Sequence, residues 1–383
     1  MRLWLARAAL AAVSTYLSLV VGQYLLPYVT GTEVRRPFDT PFLRSSVAIA
    51  EELRAKGQDA SPLLYPSIWL DEMLPGGPDL LPLGSTSRQL TVFCEEQPDT
   101  PVVYTSDEHG FRNERVETSA VRAAAIGDSF TQGACVGAGK GFVAIMARRV
   151  GPILNLGQSG NGPLLELATL KEYASVLRPA TVFWFYYPGN DLWDLQRESR
   201  RLLLKRYLED GFRQGLSGRQ DEIDRRLRGW LDEARMRFDA ERFTQLIDGE
   251  SGSLVRFTRL LSLEPLRTMT QIARENASVD IDLFRRVMDN ARRTVAGWDG
   301  RLVFVVLPDH RPVQRLPLLP RSNHERVLAA IRELGIPLID AEEATRDVSR
   351  SELFFYSTSH YSERGNEIVG DRVLDALARL PTR

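Results

Sequence analysis

The chain predicts an α/β fold with a parallel sheet, and two observations carry that expectation. From residue 122 onward, short apolar runs alternate with helical segments, the pattern of strand–helix–strand units. Three of the runs lead into turns rich in Gly, Asn, Asp or Ser, which puts polar side chains at the strand ends where open α/β sheets bind ligands. Arg122–Ile126 is the first strand, short and alanine-rich, and Gly127 permits the tight turn after it. Phe142–Arg149 follows as a helix, Pro152–Leu156 as a strand and Leu164–Ser175 as a helix. Thr181–Tyr187 is the strongest strand signal, because aromatic and β-branched side chains suit a pleated, buried surface. Leu302–Leu307 reads as a buried strand and Ile336–Ile339 as the last strand, with Arg326–Leu334 helical between them. Glu363–Leu380 is a helix that Ser362 can cap.

Residues 195–295 interrupt this alternation with charged helical sequence. Ile223, Leu227, Trp230, Leu231 and Ala234 recur at helical spacing, with Asp224, Arg225, Arg226, Arg228 and Asp232 on other faces. A helical insertion packed on the core is expected; a lid, or a surface lying on a bilayer, is the functional reading. Residues 33–104, which include Pro75-Gly76-Gly77-Pro78, read as a linker followed by a strand or two laid against the domain.

The amino terminus differs in character. Ala8 through Thr32 carry no charge, and Ala8–Leu26 is largely apolar. At ~1.5 Å per residue such a stretch approaches the ~30 Å core of a bilayer. A signal anchor over residues 1–32 is therefore expected, a single inner-membrane span of a bacterium with the rest on the periplasmic side; a cleaved signal peptide is the rival. Arg35 and Arg36, just beyond the span, weaken the orientation signal. The resulting scheme is anchor 1–32, linker and extension 33–104, and a catalytic domain 105–383 with the insertion at about 195–295.

Composition narrows the function. The 383 residues are 43% hydrophobic and 26% charged, with net charge −1, and this balance leaves no electrostatic footprint for nucleic acid. Two cysteines and four scattered histidines give no metal-ligand spacing, so no cofactor is expected. Cys94 and Cys135 allow one disulfide in an exported domain, with two buried thiols as the alternative.

Four stretches carry the chemistry, in order: Gly127-Asp128-Ser129-Phe130, Asn155-Leu156-Gly157-Gln158-Ser159-Gly160-Asn161-Gly162, Pro188-Gly189-Asn190-Asp191, and Ser359-His360-Tyr361-Ser362. A serine hydroxyl needs a neighbouring base to become a nucleophile. His360 is favoured as that base, and His310, in Pro308-Asp309-His310 at the end of a strand-like run, is the rival. His109 reads as a turn residue and His324 as part of a polar helix start.

This ordered set resembles the SGNH hydrolases, or GDSL esterase/lipase superfamily, over roughly residues 105–380. The resemblance implies a flavodoxin-like three-layer α/β/α sandwich, with Ser129 as nucleophile and His360 as base. It also implies an oxyanion hole made by the N–H groups of Ser129 and Gly160 and the amide of Asn190. Tyr104–Asn113 resembles the segment that precedes the nucleophile block in some exported bacterial members. The chain departs from the pattern twice. Ser357 stands where the family has an acid three residues before the histidine, so a backbone carbonyl or a distant acid such as Asp340 is left to orient His360. Pro188 replaces the usual glycine two residues before Asn190.

The expected activity is hydrolysis of O-acyl esters on a carbohydrate or cell-envelope substrate by a membrane-anchored serine esterase. Acyl transfer to a sugar hydroxyl by the same residues, and a noncatalytic glycan-binding or assembly role, are the alternatives. Acyl group, alcohol partner and oligomeric state have no signature in the sequence.

Overall fold

The structure, a computed structural model, describes residues 14–16, 18, 46–70, 77, 79–94, 101–113, 120–233, 279–309, 322–355 and 360–381. The expected anchor falls almost wholly outside these residues. Among the described residues no helix is long and apolar enough to cross a membrane. Residues 41–231, 279–309 and 322–383 fold as one unit, and the description below concerns that unit alone.

The amino-terminal extension contains more structure than a linker. Helix α1 (Ser46–Ala55) packs on a three-stranded sheet of β1 (Ala60–Pro62), β2 (Leu90–Cys94) and β3 (Val102–Thr105). Strand β1 pairs parallel with β2, and β2 antiparallel with β3. Leu64, Trp69, Leu81, Leu83 and Phe111 join the main hydrophobic core, so the extension is part of the domain.

The second sheet has five strands, β4 (Ala123–Ile126), β5 (Ile153–Asn155), β6 (Thr181–Tyr186), β7 (Arg301–Val306) and β8 (Leu338–Asp340). All pairings are parallel, in the spatial order β5-β4-β6-β7-β8. That is the 2-1-3-4-5 order of flavodoxin-like sheets, whose ligand crevice opens where the winding reverses, beside the first and third strands.

Side-chain alternation along these strands builds the two outer layers. Ala124, Ile126, Val182, Trp184, Phe304 and Val306 face one core, shared with helices α4 (Pro163–Thr169), α6 (Ile281–Ala296) and α7 (Ser322–Glu333). Ala123, Ala125, Phe183, Phe185, Val303 and Val305 face the other, shared with α3 (Phe142–Val150) and α8 (Glu363–Leu377). The three-layer sandwich expected from the sequence is therefore present, with strand ends within two residues of the expected ones.

Three features differ from expectation. The helix begun by Pro163 passes through a π turn at Leu170–Ala174 before ending at Leu177. The stretch read as an insertion starts within α5 (Asp191–Glu198) and takes in most of α6, which packs on β7 and α7. Between them, residues 220–233 are helical, and Ile223, Leu227 and Leu231 are buried as their spacing required. Trp230 meets Trp69 edge-on at 4.9 Å, and Ser87 donates its N–H and hydroxyl to Asp224, at 3.0 and 2.6 Å.

Candidate active site

Strand β4 delivers Ser129 to the reversal point of the sheet. Asp128 caps the four-residue helix α2 (Ser129–Gln132) by accepting the Phe130 N–H at 2.9 Å, which fixes the turn. Ser129 is half-buried, and its Oγ lies 2.9 Å from His360 Nε2, although 231 residues separate them. A hydroxyl donating to an unprotonated Nε2 leaves the ring proton on Nδ1.

Among the described residues, His360 Nδ1 faces Cys135 Sγ at 3.8 Å rather than a carboxylate. Cys135 has φ +63° and is disulfide-bonded, which decides between the two cysteine readings; Cys94 is the chain's other cysteine. The imidazole also rests on Phe130, ring centres 5.0 Å apart. Asp340 is engaged elsewhere: its side chain accepts the Glu343 N–H at 3.0 Å and lies 3.9 Å from His324 Nε2. Ser357 and His310 lie outside the described residues. His109 donates its N–H to Asp107 as a turn residue, as expected.

The second block lies against α2. Gln132 holds it there: Ser159 donates both N–H and hydroxyl to Gln132 Oε1 at 2.9 Å, and Gln132 Nε2 donates to Gln158 at 3.1 Å. Gly160 has φ +68°, and the space a Cβ would fill is taken by the Ser67 hydroxyl. The chain itself therefore occupies the space beside this glycine. Neither the Ser129 nor the Gly160 N–H has a protein acceptor among the described residues.

Asn190 caps the start of α5 beside the end of β6. Its Nδ2 donates to Asp194 Oδ2 at 2.9 Å and lies beside the Asp128 carboxyl, while its Oδ1 is buried without a partner among the described residues. Burial pushes the Asp128 carboxyl up to about 6, and the nearby His360 and Asn190 oppose that rise. Burial likewise raises Asp194 to about 7 and Glu198 to about 8, with neighbouring carboxylates adding to the effect. Glu166 and Asp191 are driven well above the carboxylate range for the same reasons. These groups fasten the loops: Glu198 accepts the Gly162 and Leu164 N–H groups, and Asp191 accepts that of Tyr187 at 2.8 Å.

Two residues of the segment Tyr104–Asn113 have supporting roles that the sequence reading did not assign. Arg112 is 8% exposed and donates to the carbonyls of Gly133 and Val136, at 2.6 and 2.8 Å, bracing the loop after α2. Asn113 exchanges hydrogen bonds with the backbone of Asn155 at 2.8 and 2.9 Å, tying the segment before β4 to the second block. Among the described residues no group of three or more His, Cys, Asp or Glu side chains is arranged to hold a metal ion.

No family model matches the chain, and no curated protein does. Among solved structures it is similar to a lipolytic protein of the G-D-S-L family from Veillonella parvula, at 16% identity over 68% of this chain and 100% of that one, TM-score 0.38. A lipase/acylhydrolase from Enterococcus faecalis matches at 13% identity over 69% and 98%, TM-score 0.38. An acetyl xylan esterase matches at 11% identity over 67% and 100%, TM-score 0.36. Likeness at these scores carries no argument about chemistry, so the weight rests on the site itself.

Proposed function

We propose that the chain is a serine ester hydrolase of the SGNH class acting on O-acyl esters, with Ser129 as nucleophile and His360 as its base. The observation that carries this reading is the 2.9 Å contact between Ser129 Oγ and His360 Nε2, made by side chains from opposite ends of the domain. Ser129 attacks the ester carbonyl and its proton passes to Nε2, which then returns it to the departing alkoxide. The Ser129 and Gly160 N–H groups and the Asn190 amide hydrogen are the donors for the tetrahedral oxyanion, each worth ~3 kcal/mol of barrier.

The uncharged stretch Ala8–Thr32 supports a membrane anchor, and the disulfide at Cys135 supports a catalytic unit outside the reducing cytoplasm. A carbohydrate or other cell-envelope ester is the substrate class that fits this placement. An organophosphonate probe tests the reading. Labelling of the wild-type protein, absent in Ser129→Ala and confirmed at Ser129 by mass spectrometry, is the expected result. A folded wild-type protein that takes no label would overturn it.

A further inference from the structure

The oxyanion role of Gly160 leaves its neighbours unexplained. The Ser67 side chain fills the space beside it, and Tyr65 Cδ2 stands 3.7 Å from where a Cβ would be. Both residues belong to the amino-terminal extension, outside the four catalytic stretches. Their turn is held from several sides: Leu64 donates its N–H to Ser85 Oγ at 3.2 Å, and Ile68 donates to the Tyr65 carbonyl at 3.1 Å. Arg201 Nε, beyond α5, donates to the Trp69 carbonyl at 3.1 Å. Such a turn is built to stay against Gly160.

Ser67 is 5% exposed and Tyr65 half-buried, and neither hydroxyl has a protein partner among the described residues. Neither is sealed off from solvent as an unpaired buried group. One turn into α5 from Asn190, Trp193 is 39% exposed, with the Arg197 guanidinium 4.9 Å from its ring centre.

We propose that Tyr65 and Ser67 line a subsite for the alcohol part of the ester, and that this alcohol is polyhydroxylated, a saccharide. The proposal rests on the hydrolase reading above. Two hydroxyls without a protein partner among the described residues, one of them carried on the Tyr65 ring, match a sugar, whose own hydroxyls pair with them while its C–H face covers that ring. An acyl chain in the same place would strip water from both hydroxyls and give nothing in return. The subsite also gives the extension a reason to be folded into the domain.

The test compares 4-nitrophenyl acetate, which has no sugar, with an acetylated xylo-oligosaccharide, in wild type, Ser67→Ala, Tyr65→Ala and Ser129→Ala. Ser67→Ala and Tyr65→Ala are expected to lower kcat/KM for the saccharide ester ~10-fold, mainly through KM, because a lost uniform binding contact raises KM. Turnover of 4-nitrophenyl acetate and the rate of organophosphonate labelling should stay within about twofold, since the contact is made only to the sugar. Equal losses on both esters, no loss on either, or a wild type that cleaves only the small ester would each overturn the subsite. A wild type with no Ser129-dependent turnover of either ester would instead overturn the hydrolase reading, and the subsite with it.

Discussion

Around Ser129, Asp128, Gln132, Arg112 and Asn113 tie three loops together through hydrogen bonds. On the base side, His360 rests on Phe130 and Cys135, and its segment is held by the Phe354–Tyr361 bridge and the Tyr361 hydroxyl on the Pro308 carbonyl at 2.7 Å. Among the described residues, side-chain hydrogen bonds fix the first region, whereas the described contacts of the imidazole ring, beyond its bond to Ser129, are with an aromatic ring and a sulfur. Oxyanion donors must keep their geometry while charge develops, so rigid polar support has most value there.

The largest effect should come from the base itself: His360→Ala is expected to lower kcat ~10,000-fold or more with little change in melting temperature. A small loss in an ester-hydrolysis assay would place the base elsewhere, with His310 the next candidate. Asn190→Ala should lower kcat ~100- to 1,000-fold, as for loss of one oxyanion donor. Arg112→Ala should act on stability instead, by ~2–3 kcal/mol in urea denaturation, because two buried carbonyls lose charge-assisted partners. Denaturation unchanged by that substitution would break the contrast between the two regions.

The buried carboxylates give a pH test with a definite sign. Asp128, Asp194 and Glu198 have folded-state values raised to about 6, 7 and 8. The folded protein therefore binds more protons than the unfolded chain, and their contribution is fully present below pH ~4 and is lost as pH rises toward 8. Unfolding free energy measured at pH 5 should exceed that at pH 8 by several kcal/mol, on the order of 8 kcal/mol if the three groups act independently. A rise over that interval would show that these groups are ionised at little cost. The smallest effect on kcat is assigned to Cys135→Ser, a few-fold change, because the sulfur makes only a weak contact to Nδ1; loss of its disulfide should appear instead as a lower melting temperature. A loss as large as that of His360→Ala would show that the sulfur does much more than pack.

The sheet and the four site stretches were legible because each leaves a local mark: a run of Thr, Val, Phe, Trp and Tyr before Pro188, or Gly-Asp-Ser after three alanines. Of the extension only a strand or two laid against the domain was legible; the pairing was not, since β1 is three residues long and pairs with a strand thirty positions away. Arg112 was equally hidden, because its acceptors are the carbonyls of Gly133 and Val136, and backbone atoms write nothing into the sequence. For Gly160, residue type was legible but its cause was not; only folding shows that Ser67 lies against it. The sequence also showed two cysteines without placing a sulfur at the imidazole.

The separation of Ser129 and His360 along the chain has a kinetic side. Loop-closure entropy opposes so distant a contact until intervening structure shortens the effective path. During refolding, secondary structure should recover before turnover does, and no fragment carrying only one of the pair can work. Return of ester cleavage would then serve as a clock for the final docking of α8, timing the end of assembly and not its beginning.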